Sequence, residues 1–456
     1  MLHIKRGFVI QKIVISAGSL LLFMLLFALT IYSCNNQQKA KNVVVNSDSQ
    51  LIILPVPTPI LEADKLKFAA GCKAWYDAVL VRTGFDGGIV VAKNGTIVFE
   101  AYRGNAHIKG NDAITDSTSI HIASVSKTFT AMAVLKLWQD GKLNIDEELV
   151  KYFPSFNYPG VTIRTLLNHR SGLPNYVHFV NKKNGWDETK FITNQGVYDF
   201  LVNKKAQLTD ISRPNTHFTY CNTNYALLAL LIEKITAEKY SHFINRTFFV
   251  PLGMNHSFVF DTSMIATVTP SYEWNGRLNI FNYLDAVYGD KNIYTTPRDL
   301  LIWDRALTSK KIFTDSTLLE AYSPYSNERA GIRNYGLGWR MNIYPTGKKV
   351  IYHNGWWHGN NASFVRLLDD SVTIIVIGNK FNRGIYHAKD IAAVFGNYGT
   401  LEDEDENTNK TATTITSKNK TTTIHKKKIA RKLRSIKPVV NKRKKRQLEN
   451  KQKNHL

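Results

Sequence analysis

Strand-like sequence lies at both ends of this chain and helical sequence lies between, and that order restricts the fold more than any other feature. Near the front, Gly88–Ala92 and Thr96–Tyr102 flank Lys93-Asn94-Gly95, and Asn-Gly between alternating apolar runs predicts a β-hairpin. Near the back, Tyr335–Asn342, Val350–Tyr352, Phe364–Leu368 and Val372–Ile377 read as strands, with Asp369-Asp370 as a turn. Phe68–Val81, Ser126–Gln139, Thr223–Ile235 and His387–Phe395 carry helical spacing, and Asp140-Gly141 stops the second of these. The expected fold class is therefore α/β (α+β): an antiparallel sheet built from both termini, flanked by helices, with an inserted all-helical region. No internal repeat is present, and 456 residues suffice for a large core.

The two ends differ from the body. Lys5, Arg6 and Lys12 precede an uncharged apolar stretch, Ile13–Tyr32, of about 20 residues, enough to span a bilayer. The stretch ends Ile31-Tyr32-Ser33-Cys34, which resembles a bacterial lipobox, so Cys34 is the expected lipidation site; an uncut transmembrane helix is the alternative. Either way the positive flank stays inside and the body is exported to the cell envelope. Residues 35–65, with Pro55, Pro57 and Pro59, read as a linker, 66–397 as the folded body, and 398–456 as a tail without core residues. The formal net charge of +23 is mostly tail: residues 407–456 hold 17 Lys/Arg against Glu449 alone. A basic run usually means nucleic acid, but export removes that partner. An anionic membrane or envelope surface is the expected target instead. Three cysteines are too few for a disulfide framework, and no Cys/His cluster has zinc spacing, so no metal is expected.

Three motifs carry the chemistry. Ser124-Val125-Ser126-Lys127 places a hydroxyl at the start of an amphipathic helix, with an amine three residues on, on the same face. A helix start also supplies unpaired N–H groups for a developing oxyanion. Tyr220-Cys221-Asn222 precedes a helix that would fix the phenol. His353-Asn354-Gly355 ends one strand, where glycine lets a substrate backbone approach the sheet edge. Each pattern is weak alone. Ser417-Lys418-Asn419-Lys420 and Tyr325-Ser326-Asn327 repeat two of them in contexts that offer no site.

Taken together and in order, the motifs resemble those of the β-lactamase-related serine hydrolases, which include class C β-lactamases, DD-peptidases of similar fold and esterases. Leu166–Leu173, Pro251-Leu252-Gly253-Met254, Tyr294–Leu300 and Tyr335-Gly336-Leu337-Gly338-Trp339 extend the resemblance over roughly 66–397. It implies a serine hydrolase in which Ser124 attacks an amide or ester carbonyl. Lys127 and Tyr220 would share proton transfer, and either is open as the base. The resemblance places Asn222 on the substrate's amide side chain and His353 and Gly355 along the substrate. It makes the backbone N–H groups of Ser124 and Trp356 the oxyanion hole. No cofactor is implied, and the substrate is a small molecule, peptide or ester. Two features depart from the class C pattern. His353 stands where those enzymes carry lysine, which favours ester or D-amino-acyl peptide over β-lactam. Trp356 and Trp357 are bulky where small residues are common. The rival reading is a catalytically silent penicillin- or peptidoglycan-binding module.

Overall fold

Glycine and asparagine at a tight turn start the sheet. The computed structural model describes residues 51–398. In it Asn94 and Gly95 both take positive φ, at 53° and 77°, and join β1 (Gly87–Lys93) to β2 (Thr96–Arg103). The C-terminal strands are β8 (Arg333–Tyr335), β9 (Arg340–Ile343), β10 (Lys349–Trp357), β11 (Asn360–Leu367) and β12 (Val372–Gly378). They form one antiparallel seven-stranded sheet in the order β2-β1-β12-β11-β10-β9-β8. β1 therefore pairs directly with β12, Gly87 opposite Gly378 and Lys93 opposite Val372, so the two ends of the body close on each other. β12 is buried along its whole length, which is why it reads as a nearly continuous apolar run; β11 is buried throughout as well, although it carries Asn360, Asn361, Ser363 and Arg366.

Alternate residues of these strands fill two cores. Ile375, Ile377, Ala362 and Phe364 face the inserted helices. Ile374, Val376, Val365 and Leu367 face Tyr76 and Leu80 in front and Ile385, Ala388 and Ile391 behind. The front helix is longer than its apolar spacing predicts. α1 (Glu62–Trp75) runs on through a π-helical turn to Leu80 and a 3₁₀ turn to Thr83. The last helical segment begins earlier than predicted, at Arg383, because the Asn382 side chain accepts from Gly384 N–H.

The insert holds α2 (Ser126–Gln139), α3 (Ile163–Leu167), α4 (Tyr176–Phe179), α5 (Asn194–Asn203) and α6 (Asn222–Thr236). After them come α7 (Tyr240–Ile244), α8 (Val250–Leu252), α9 (Pro297–Thr308) and α10 (Asp315–Ala321). It is not purely helical. β3 (Ile120–His121), β7 (Ile293–Thr295) and β4 (Phe258–Val259) form a three-stranded sheet, and β5 (Ser271–Tyr272) pairs with β6 (Leu278–Asn279). Nor is α2 amphipathic as its sequence suggests. Eleven of its fourteen residues are buried, so it is a central helix packed on nearly all sides, with Thr128 and Thr130 bonded to backbone carbonyls.

Residues 51–55, within the predicted linker, lie against the body. Ile52 N–H donates to the Pro251 carbonyl at 2.7 Å, and Arg305 Nη2 to the Pro55 carbonyl at 2.8 Å. Among the described residues no helix is long and apolar enough to cross a membrane. The apolar run Ile13–Tyr32, Cys34 and the basic tail lie outside the described residues.

Candidate active site

The turn that leads into α2 is built under strain. After β3 the chain makes a 3₁₀ turn over Ala123–Val125, with Ala123 at φ +47°. A non-glycine residue there costs on the order of 1–3 kcal/mol, so neighbours must hold it. Ile122 N–H donates to the Ile293 carbonyl at 3.0 Å, and Ala123 N–H to His121 Nδ1 at 3.2 Å. On the other side of the ring, Asn292 N–H donates to Nε2 at 3.2 Å, and Asn292 Oδ1 lies 3.3 Å from the same nitrogen. Burial pushes the His121 pKa down to about 4, against the pull of Asn292. Ser126, the other serine of the motif, is fully buried, and its Oγ accepts from Ile293 N–H at 3.1 Å.

Ser124 is left half-buried in the middle of this turn. One helical turn on, Lys127 is fully buried, and its Nζ donates to Ser124 Oγ at 3.1 Å and to the Asp290 carbonyl at 2.7 Å. The same Nζ lies 5.0 Å from the centre of the Tyr220 ring and 5.6 Å from that of Tyr225. The first and second motifs, 93 residues apart, thus meet around one amine. Asn222 opens α6, and its Oδ1 is buried with no hydrogen-bond partner among the described residues. The decoy tyrosine, Tyr325, is bonded to Glu320 and Arg164 in another neighbourhood.

The third motif sits inside a strand, not at its end. β10 runs through to Trp357, but its partner β9 stops pairing at Tyr352–Arg340. The edge of β10 from His353 onward faces the serine turn. Gly355 is why the two can touch: a Cβ there would stand 2.2 Å from the Ile122 carbonyl oxygen and 3.1 Å from Ser124 N. The glycine therefore admits the Ser124 turn rather than a substrate backbone. This contact brings the Ser124 N–H beside β10, one residue from the Trp356 N–H, the pair expected to hold an oxyanion.

His353 departs from the reading of it as a direct substrate ligand. It is fully buried; Nδ1 donates to the Asn354 carbonyl at 2.7 Å, and Nε2 is 3.2 Å from the Tyr335 hydroxyl. Burial, Arg340 and Lys127 together hold its pKa well below the usual range, so the ring is neutral. His169, packed 4.3 Å from the Tyr220 ring, is depressed in the same way by burial, Lys127, His353 and Arg340. The permanent cation on this side is Arg340, whose guanidinium lies 5.0 Å from the centre of the Tyr220 ring. Arg340 went unnoticed in the sequence because it stands one residue beyond the Tyr335–Trp339 signature. His169 lay within a matched stretch without a role. Trp356 is 40% exposed and lies edge-on to Phe381. Trp357 turns inward and donates to Asp285.

A family model described as Beta-lactamase matches residues 78–396. Penicillin-binding protein 4* of Bacillus subtilis (strain 168) is 31% identical over 314 residues, covering 65% of this chain and 68% of that protein. Protein flp of Staphylococcus aureus (strain MRSA252) is 26% identical over 321 residues, and the match spans only 58% of its length. Among solved structures, the octameric penicillin-binding protein homologue from Pyrococcus abyssi aligns with a TM-score of 0.60 at 22% identity, over 72% of this chain and 76% of that one. The D-amino acid amidase from Ochrobactrum anthropi SV3, complexed with D-phenylalanine, aligns at 0.59 and 21%, over 72% and 98%. At these identities the structural likeness establishes the fold alone.

Proposed function

This chain belongs to the beta-lactamase family of serine hydrolases, and from that premise we propose that Ser124 is acylated by an amide or ester substrate and released by water. The observation that carries the reading is the bond from the buried Lys127 amine to Ser124 Oγ at 3.1 Å. In the proposed reaction the Ser124 proton passes to the Lys127–Tyr220 pair as Oγ attacks the carbonyl, and the pair returns it to the leaving group. The N–H groups of Ser124 and Trp356 take up the negative charge on the carbonyl oxygen. In the same reading Asn222 Oδ1 accepts from the substrate's amide side chain, which would give that buried oxygen a partner.

The substrate class we favour is a D-amino-acyl peptide, with esters next and β-lactams last. A neutral, buried His353 offers no charge to a carboxylate. Arg340 beside Tyr220 supplies one, and a peptide leaving group ends in the carboxylate it would pair with. The relative named a penicillin-binding protein and the fold neighbour titled a D-amino acid amidase support the same class. A silent binding module would not need the lysine–serine bond. The sequence alone supports the remaining parts of the proposal: an envelope location, lipidation at Cys34, and a basic tail resting on an anionic surface.

A fluorophosphonate or labelled penicillin should mark the protein, and Ser124→Ala should abolish the mark. Labelling that survives the substitution sinks the assignment. A panel of D-alanyl-D-alanine peptides, short esters and nitrocefin then ranks substrates. Rapid multiple turnover of nitrocefin would reverse the order given above.

A further inference from the structure

Behind the catalytic amine lies a second buried lysine that the reaction as described does not use. Lys291 and its neighbour Asp290 are each only 2% exposed, with Nζ 3.6 Å from Oδ1. Burying two ions costs several kcal/mol each before their attraction is counted. The Tyr176 hydroxyl donates to Asp290 Oδ2 at 2.8 Å, and Lys291 Nζ donates to the same hydroxyl and to the Val287 carbonyl at 3.1 Å. Nζ also sits 4.6 Å above the Trp357 ring, at the end of β10. The Tyr176 N–H donates to Thr223 Oγ1 at 2.7 Å, at the start of α6. The cluster thus touches the elements that carry all three motifs.

We propose that Tyr176, Asp290 and Lys291 form a positioning unit for Lys127, in which the ion pair aims the Asp290 carbonyl at Nζ and its two opposite charges set how readily that amine holds a proton. The proposal rests on the serine-hydrolase reading above. Geometry supports the aiming. The segment 289–293 is pinned at both ends: Gly289 and Asn292 have φ of 90° and 78°, and Thr130 Oγ1 donates to the Gly289 carbonyl at 2.6 Å. Between them the Asp290 side chain is clamped by Tyr176, so its carbonyl has one direction, toward Lys127. Held on that carbonyl at 2.7 Å, the amine stands 3.1 Å from Ser124 Oγ, whose proton the Lys127–Tyr220 pair takes up in the proposed reaction.

Electrostatics supports the second half. Lys291 is lowered by burial first and by Lys127 among other groups, against the opposing pull of Asp290 and Asp285. Coupling between two titrating groups is mutual, so the Lys291 ammonium works against a proton on Lys127 and the Asp290 carboxylate works for it. The other groups that face Lys127 are Tyr220, Tyr225, Cys221, His169 and His353. Both histidines are held neutral and Cys221 is pushed up to about 11, so the fixed charges around Lys127 are those of the ion pair and of Arg340.

The test is a titration of Lys127 in the full chain carrying ¹³Cε-labelled lysine, with the Lys127 signal assigned by its loss in Lys127→Met. Lys291→Met should raise the Lys127 midpoint by about one pH unit, and Asp290→Asn should lower it by about one. The double variant leaves no uncompensated ion and should return close to the parent value, which keeps the test readable if either single change fails to fold. The acid limb of the fluorophosphonate labelling rate should move in the same order. Shifts of the same sign in the single variants, or a double variant far from the parent, would overturn the proposal. Labelling that persists in Ser124→Ala would instead overturn the serine reading, while the titration, which needs no turnover, judges the positioning unit alone.

Discussion

The two halves of the candidate site are built differently. On the Ser124 side the polar groups are already spent on the protein: Ala123 N–H on His121, Ser126 Oγ on Ile293, Thr128 and Thr130 on backbone carbonyls, Lys127 on Asp290. On the Tyr220 side, aromatic rings and one guanidinium surround buried polar atoms, Asn222 Oδ1 and Asn354 Nδ2, that have no hydrogen-bond partner among the described residues. The first half is organised before any substrate arrives, which removes reorganisation from the reaction. The second leaves Asn222 Oδ1 and Asn354 Nδ2 to be met by a ligand. The difference separates chemistry from specificity within one cleft.

The largest effect should come where the halves meet. Gly355→Ala puts a Cβ into the Ile122 carbonyl and against Ser124 N, so the nucleophile turn must move away from β10. A misplacement of about 1 Å costs on the order of a hundredfold in rate. The labelling rate of Ser124 should fall by that much while circular dichroism stays folded. A rate near the parent's would show that the two halves do not depend on this contact.

Arg340→Met tests the receiving half alone. Loss of a charge-assisted bond of about 1.5–3 kcal/mol predicts KM for a carboxylate-terminated peptide to rise about tenfold or more. A short neutral ester and the fluorophosphonate rate should be nearly unaffected. Equal losses on peptide and ester would mean that Arg340 serves the site as a whole and that the division between halves is wrong.

The smallest effect at neutral pH belongs to His121, on the nucleophile side. Its folded-state pKa, about 4, lies below the ordinary 6.5, so the unfolded chain binds the extra proton. Its contribution is therefore whole above about pH 6.5 and is lost as pH falls toward 4. By pH 5 that loss reaches about 2 kcal/mol. Denaturant unfolding at pH 7 and pH 5 should show His121→Asn losing less stability on acidification than the parent. Identical acid sensitivity would remove His121 from the support of the turn.

Local sequence determined a great deal here. Asn94-Gly95 was enough for the hairpin because a turn with positive φ at both positions selects those residues. The spacing of Ser124 and Lys127 was enough for their bond because three residues make about one helical turn. Helix α6 was legible from its apolar spacing, and β11 and β12 from their β-branched and aromatic runs. What local sequence missed were the partners brought in from afar. The burial of α2 on nearly every side depends on which elements surround it, and its own spacing reports only one face. Gly355 shows the same limit, since its role depends on Ile122 and Ser124, more than 230 residues earlier in the chain. Arg340, His169 and the Tyr176–Asp290–Lys291 cluster have ordinary surroundings in sequence and become part of the site only when the sheet and the insert close on each other. The sequence by itself determined the pairing of Ser124 with Lys127, because that pairing is held within one turn of helix. Tertiary structure alone decided the charge around it, because electrostatic interactions act through space between segments whose separation along the chain is unrelated to their distance.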